Sequence, residues 1–276
     1  MPQQTIDIPA SLIAGLDQEA RQSGRTRSSV IVEAVARYLN TPIKTVFQVS
    51  TSGALVAGVY DREVSVRAIL DHGNFGLGTF AGLDGEMVVV DGRAYQVQGS
   101  GRVIEASGDA GAPYAVVTWF KPETEASIAD VRSFGDLETR CDAYRGSGNI
   151  FYAFRLDGHF TKVRTRVVNP PEPGTRLVEA AKAQSEFVFM ELDGTLVGLW
   201  SPSFSSAFSV PGYHLHFLSA DRQHGGHLLD LEADTLELKV EALSDFHLAL
   251  PETEEFLKAD LSKNTAAELA EAEKAH

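Results

Sequence analysis

The hydrophobic pattern of this chain changes period twice, and each change marks a different kind of element. Ile6 and Ile8 alternate with Thr5 and Asp7, the two-residue rhythm of a short strand with one apolar face. Pro9 suits a first helical turn, and Leu12, Ile13, Leu16 and Ala20 then recur at helical spacing until Gly24 stops the helix. Thr26 is placed to cap a second helix, in which Val30, Ile31, Ala34, Val35, Tyr38 and Leu39 form a broad apolar stripe that ends at Asn40-Thr41-Pro42. About forty residues cannot bury two such stripes alone, so this strand-helix-helix unit is expected to be stable only as an intertwined dimer.

From Thr45 the rhythm returns to short, glycine-punctuated strands. Residues 46–51 open a main domain with a strand, and Glu63 to His72 predicts one short helix. Asp84-Gly85 and Asp91-Gly92 read as hairpin turns bracketing a strand that begins at Glu86. Phe151 and Ala153 mark a buried strand with Arg155 embedded in it, and Arg164 and Arg166 share one face of the next, opposite Thr165. His159, after Asp-Gly, reads as a surface residue at a turn. Pro170-Pro-Glu-Pro173 suggests a boundary, Leu177 to Gln184 a helix, and Glu191 to Trp200 a hairpin. That last helix and Leu-Asp-Gly strand parallel Ala68 to Val90, a faint internal duplication. The expected fold class is therefore α+β: two similar mixed-sheet α/β halves, residues 45–170 and 171–276, packed around a metal site and preceded by the module at residues 1–41.

The metal enters through one stretch. His214 and His216 are separated by a single residue in an apolar run, so on a strand both imidazoles leave the same face while Leu215 points away. A polar segment follows, Gly225-Gly226 reads as a turn signal, and a second apolar run carries His227 back alongside the first. Three imidazoles with positions left open form the donor set of a catalytic zinc or similar divalent ion. His224, in the polar loop, is the rival third ligand. The three glycines of residues 73–80 lack a following helix pattern or a Lys-Ser/Thr pair, so a phosphate cradle is not favoured.

Charge and cysteine usage narrow the setting. The net charge is −14. Residues 1–44 carry Arg21, Arg25, Arg27, Arg37 and Lys44 against Asp7, Asp17, Glu19 and Glu33, a segment charge of +1, so the rest of the chain carries −15. Such a body repels nucleic acid and anionic membrane. Cys141 is the single cysteine and fits a reducing compartment. No apolar run approaches a membrane span and the first residues carry no secretion signal, so the cytoplasm is expected.

Two resemblances add to this reading. Residues 3–40 resemble, in element order and spacing, the ribbon-helix-helix fold, whose paired strands enter the DNA major groove in repressors. The outward strand residues would be Gln3, Thr5 and Asp7, and a carboxylate at Asp7 favours a dimerisation role over DNA binding. The remainder resembles the alpha-acetolactate decarboxylases. The resemblance rests on Gly212-Tyr-His-Leu-His-Phe217, Asp221-Arg222, Gly225-Gly226-His227-Leu-Leu-Asp230, and Gly73-Asn-Phe-Gly-Leu-Gly-Thr-Phe80, with Asn74 and Leu77 departing from the family pattern. It implies that Glu86 reaches the metal site, that Arg166 is the active-site arginine, and that the tail brings back a glutamate, Glu273, or Glu271 if the one gap moves. It also implies an activity: 2-acetolactate would lose carbon dioxide, a divalent ion would stabilise the enediolate, and a glutamic acid, Glu86 or Glu273, would protonate it to (R)-acetoin. Two other readings use the same residues, a different three-histidine metalloenzyme and a ligand-sensing repressor with a decarboxylase-like sensor.

Overall fold

A computed structural model of the chain describes residues 5–23, 27–39, 44–62, 64–172 and 174–273, and it divides into two compact units, Met1–Ile43 and Lys44–His276. In the first, α1 (Ala10–Ser23) packs on α2 (Arg27–Leu39), with Arg27 ion-paired to Asp17. Val30 is buried, but Leu12, Val35, Tyr38 and Leu39 stay exposed, because two helices alone leave most of their apolar stripes uncovered. Residues 5–9 form no strand, for a lone strand finds no ladder partner within one chain. The expected Gly24 stop, Thr26 cap and Asn40-Thr41-Pro42 stop lie outside the described residues.

The second unit begins with β1 (Thr45–Val49), α3 (Ser52–Ala57), β2 (Val64–Ser65), α4 (Val66–Leu70), β3 (Phe75–Thr79), β4 (Glu86–Val90), β5 (Arg93–Val97), β6 (Val103–Glu105), β7 (Gly111–Ala112) and β8 (Tyr114–Thr118). It continues through β9 (Thr124–Val131), α5 (Phe134–Asp142), β10 (Phe151–Val167), α6 (Leu177–Ala181), β11 (Ser185–Ser201), β12 (Gly212–Ser219), β13 (Gly225–Leu243), β14 (Asp245–Ala249), α7 (Glu254–Lys258) and α8 (Ala266–Glu273). Seven strands form one sheet in the order β14-β1-β8-β3-β4-β5-β6, antiparallel throughout except for β1 with β14. Five form a second, β10-β11-β12-β13-β9, in which β10 also pairs with β13 so that four strands close on themselves. Among the described residues no helix is long and apolar enough to cross a membrane.

The α+β class holds, but the chain does not divide into sheets at residue 170. β9 and β10 precede that point and belong to the second sheet, while β14 crosses back to pair with β1 in the first. Long pairing of β10 with β11, from Tyr152 opposite Trp200 to Val167 opposite Ser185 and interrupted at Thr161 and Glu191, outweighs a proline-marked loop as a divider. The hairpin expected at Glu191–Trp200 is likewise absent. Gly158 and Gly194 face each other mid-ladder, and a Cβ on Gly194 would lie 2.4 Å from the Phe217 ring, so this Asp-Gly serves close packing rather than a turn. Asp91-Gly92 does turn the chain, with φ of 53° and 76°, between Val90 and Arg93. The expected helices at 63–72 and 177–184 are shorter, as α4 and α6, and Glu63 itself lies outside the described residues.

The strand period then decides which way the chemistry faces. Met87 and Val89 of β4 join α4's Val66 and Ile69 in one core, while Val88 and Val90 join Val197 and Leu218 of the second sheet in another. Glu86 shares the parity of Val88 and Val90, which turns it toward the second sheet. On β12, Leu215 and Phe217 fill the interior of the closed strands, leaving His214 and His216 on the opposite face with Leu218, toward the first sheet. Leu269 and Ala272 of α8 enter the core that joins the two sheets, so this helix is packed there and not frayed.

Candidate active site

His216 on β12 is register-paired with His227 on β13, and His214 lies two residues up the same face. The ring centroids of His214, His216 and His227 stand 5.0, 5.1 and 5.4 Å apart, and one donor atom from each lies within 4.8 Å of the others. The connecting turn is residues 220–224, closed by the Ser219 N–H donating to the His224 carbonyl at 2.9 Å. Gly225 and Gly226 therefore do not make the turn as expected; they already belong to β13. Gly226 has φ 136°, and a Cβ there would sit 2.7 Å from the Arg166 carbonyl, so the glycine lets β13 close tightly on β10 beside the arginine. His224 stands apart, half-buried and tilted over the Phe189 ring at 4.6 Å.

These imidazoles fit a divalent ion. The His216 Nδ1 lies 2.8 Å from the Met87 carbonyl, which can only accept, so Nδ1 carries the proton and Nε2 keeps its lone pair. That Nε2 is buried without a hydrogen-bond partner, an orphaned acceptor of the kind a metal satisfies. Burial, with Arg166 adding to it, pushes His214 down to about 3. Burial and the neighbouring His214 push His216 down to about 3, and burial with Arg166 holds His227 well below its ordinary value. All three are thus neutral at pH 7, the ligating form.

Three further groups close on this centre from three different elements. Glu86 opens β4; its Oε2 is 3.7 Å from His216 Nε2 and its Oε1 accepts from the Val168 N–H at 3.4 Å. Burial pushes its carboxyl up to about 7, opposed by Arg166 and reinforced by Glu273. Arg166, 4% exposed, donates from Nη2 to Glu273 Oε2 at 3.1 Å and from Nη1 to Gln184 Oε1 at 3.0 Å. Glu273 Oε2 also lies 3.6 Å from His227 Nδ1 and 3.8 Å from His214 Nε2. Glu271, two residues earlier on α8, is exposed, so the tail carboxylate that arrives is Glu273.

The six residues line an inner cavity of about 40 Å³, room for an ion and a few waters. An outer, largely apolar chamber of about 470 Å³, walled by Leu215, Leu228 and Leu269 among others, shares His227 and Glu273 with it. Thr79, Tyr114 and Gln184 are parts of the site that reasoning from the sequence missed. Thr79 and Tyr114 are opposite each other on β3 and β8 and line the cavity. Burial raises the Tyr114 hydroxyl, against the opposing effect of its hydrogen bond with Ser209, which keeps it protonated. Thr79 had a signal, since it lies in the glycine-rich motif; nothing local marks Tyr114 or Gln184. Arg155 and His159 stay outside, paired with Asp91 and Asp157 and with Glu191 and Asp193; His159 is a surface residue as expected, though mid-strand and not at a turn.

Fold and site together define an α+β enzyme with a buried three-histidine centre flanked by two glutamates and an arginine, held between two sheets. The pattern of the family described as alpha-acetolactate decarboxylase matches residues 46–263. The alpha-acetolactate decarboxylase of Methanosarcina mazei is 39% identical over 236 residues, covering 85% of this chain and 82% of that protein. That of Methylococcus capsulatus is 39% identical over 229 residues, covering 83% and 88%. The crystal structure of the Bacillus subtilis alpha-acetolactate decarboxylase superimposes with a TM-score of 0.81 at 34% identity, over 84% of this chain and all of that one. The chain belongs to the alpha-acetolactate decarboxylase family and is a carboxy-lyase. Residues 1–45 precede the matched segment.

Proposed function

We propose that the protein converts 2-acetolactate to (R)-acetoin and carbon dioxide, with His214, His216 and His227 holding Zn²⁺ or another divalent ion. The observation that carries this is the convergence of Arg166, Glu86 and Glu273 on three neutral imidazoles in one buried cavity. The substrate is a β-keto acid, so its own ketone accepts the electron pair released with carbon dioxide and no organic cofactor is called for. The ion, when bound, supplies a Lewis acid for the oxygens on which negative charge develops. Arg166 is the buried cation that pairs with the substrate carboxylate or with the oxygen anion left behind. Glu86, buried on the cavity wall beside His216, is placed to deliver a proton to carbon. A donor fixed on one wall protonates one face, which yields one enantiomer. Glu273 anchors Arg166 and, carried by α8, closes the cavity against water.

The test is acetoin formation from racemic 2-acetolactate, followed with and without chelator and after zinc is restored. Consumption of a different organic acid without acetoin would favour another three-histidine metalloenzyme instead. Residues 1–43 form, in this reading, a homodimerisation module, supported by the exposed Leu12, Val35, Tyr38 and Leu39. The ligand-sensing repressor is less favoured, since the exposed Asp7 would face the DNA polyanion. The buried free thiol of Cys141 fits a reducing, cytoplasmic setting.

A further inference from the structure

Arg166 has three donor nitrogens, and the structure accounts for each differently. Nη1 is tied to Gln184 Oε1 at 3.0 Å, Nη2 to Glu273 Oε2 at 3.1 Å, and Nε is buried without a partner. Nε and Nη2 form the side-on fork of a guanidinium, the edge that receives a carboxylate bidentately. One end of that fork is therefore unmet in a residue that lines the cavity.

Gln184 is itself held in one orientation. Its backbone N–H donates to the Ala181 carbonyl in the turn that ends α6, and its Nε2 donates to Glu186 Oε1 at 3.0 Å. A carboxylate oxygen can only accept, so the amide cannot flip: Nε2 must face Glu186 and Oε1 must face Arg166. Glu186 is in turn held by Arg164, whose Nε and Nη2 donate to its Oε2 at 3.2 and 2.9 Å. A continuous chain of donors and acceptors thus runs from half-exposed Arg164 through Glu186 and Gln184 to the buried Arg166.

We infer that Gln184 is a positioning residue for the decarboxylation proposed above: by tying off Nη1 it fixes the rotation of the guanidinium and turns the Nε end of the fork to the anionic oxygen of the substrate. Without it Arg166 is held only through Nη2 and pivots about Glu273. The inference rests on that reading of function, and the experiment separates the two. Gln184→Ala and Gln184→Met are compared with the wild type for kcat/KM on 2-acetolactate and, by calorimetry, for binding of 2-hydroxy-2-methylbutanoate, which has the carboxylate and hydroxyl but no ketone and cannot decarboxylate. Each variant is expected to lose about tenfold in both, the worth of one charge-assisted hydrogen bond, with zinc content and melting temperature unchanged. In an Arg166→Lys background, where there is no fork to orient, Gln184→Ala should cost nothing further, the signature of action through Arg166. Gln184→Glu combined with Glu186→Gln keeps an acceptor against Arg166 and a hydrogen bond between 184 and 186, and should recover to within about threefold of the wild type. An equal loss in both backgrounds, or no loss at all in an active wild type, overturns the role of Gln184 alone. A wild type that neither produces acetoin nor binds the hydroxy acid removes the functional reading and this inference with it.

Discussion

Replacing Glu86 by glutamine tests the acid–base part of the proposal most directly, because the amide keeps the shape and an acceptor for the Val168 N–H while removing the proton that titrates. Burial moves the Glu86 carboxyl from 4.5 to about 7 in the metal-free protein, a displacement worth roughly 3 kcal/mol at 1.36 kcal/mol per unit. The sign follows from which state holds the proton. A folded-state value above the unfolded one means that the contribution is fully present below pH 4.5 and is lost as pH rises through about 7. The three imidazoles act in the opposite sense, losing stability as pH falls below 6.5, but they are common to both proteins and cancel in the difference. In the presence of chelator the melting temperature of Glu86→Gln should therefore gain on the wild type between pH 5 and pH 8, by roughly 6–12 °C for a unit of this size. In the zinc-loaded enzyme the same variant should lose about 10²–10⁴ in kcat, equivalent to about 3–5 kcal/mol in barrier, and its residual acetoin should lose enantiomeric purity. A stability gap that is the same at both pH values would refute the burial argument. Turnover within tenfold of the wild type, with a single enantiomer retained, would refute the donor role.

Glu273→Gln leaves Arg166 Nη2 with a neutral partner, and kcat/KM should fall about 10–100-fold; a chain ended at Ser262 should fall further, because it also removes the buried Leu269 and Ala272. Full activity of the shortened chain would make the tail a passive terminus. His216→Ala should abolish zinc binding measured by atomic absorption together with turnover, whereas His224→Ala should keep both; the reverse pattern would reassign the ligands. Deleting residues 1–43 should leave turnover per site within about twofold yet reduce the mass measured by light scattering. Loss of turnover with metal retained would mean that the head helps to build the site.

How much of the site was legible in the sequence differs residue by residue. His214 and His216 can be assigned to one face from their spacing alone, and the helices of residues 10–39 from theirs. Arg166 and Glu86 have no such local mark: an arginine pair on a strand and a carboxylate after a turn are more often solvated, and only the resemblance singled them out. Glu273 is further still, since residues 262–276 have the composition of a surface helix, and the core contacts of Leu269 and Ala272 bring that helix to Arg166. Misreadings share a cause. Asp91-Gly92 turns the chain while Asp193-Gly194 lies mid-ladder, and Gly225-Gly226 lies in a strand pressed on Arg166 instead of in the turn before it. The sequence by itself determined the class of fold, the strand bearing the histidine pair and the family; the tertiary structure alone decided the division into sheets, the arrival of the tail and the place of Gln184. The physical reason is that side-chain period is a property of one segment, whereas ladder partners and buried ion pairs are properties of two segments distant in the chain, which no local spacing records.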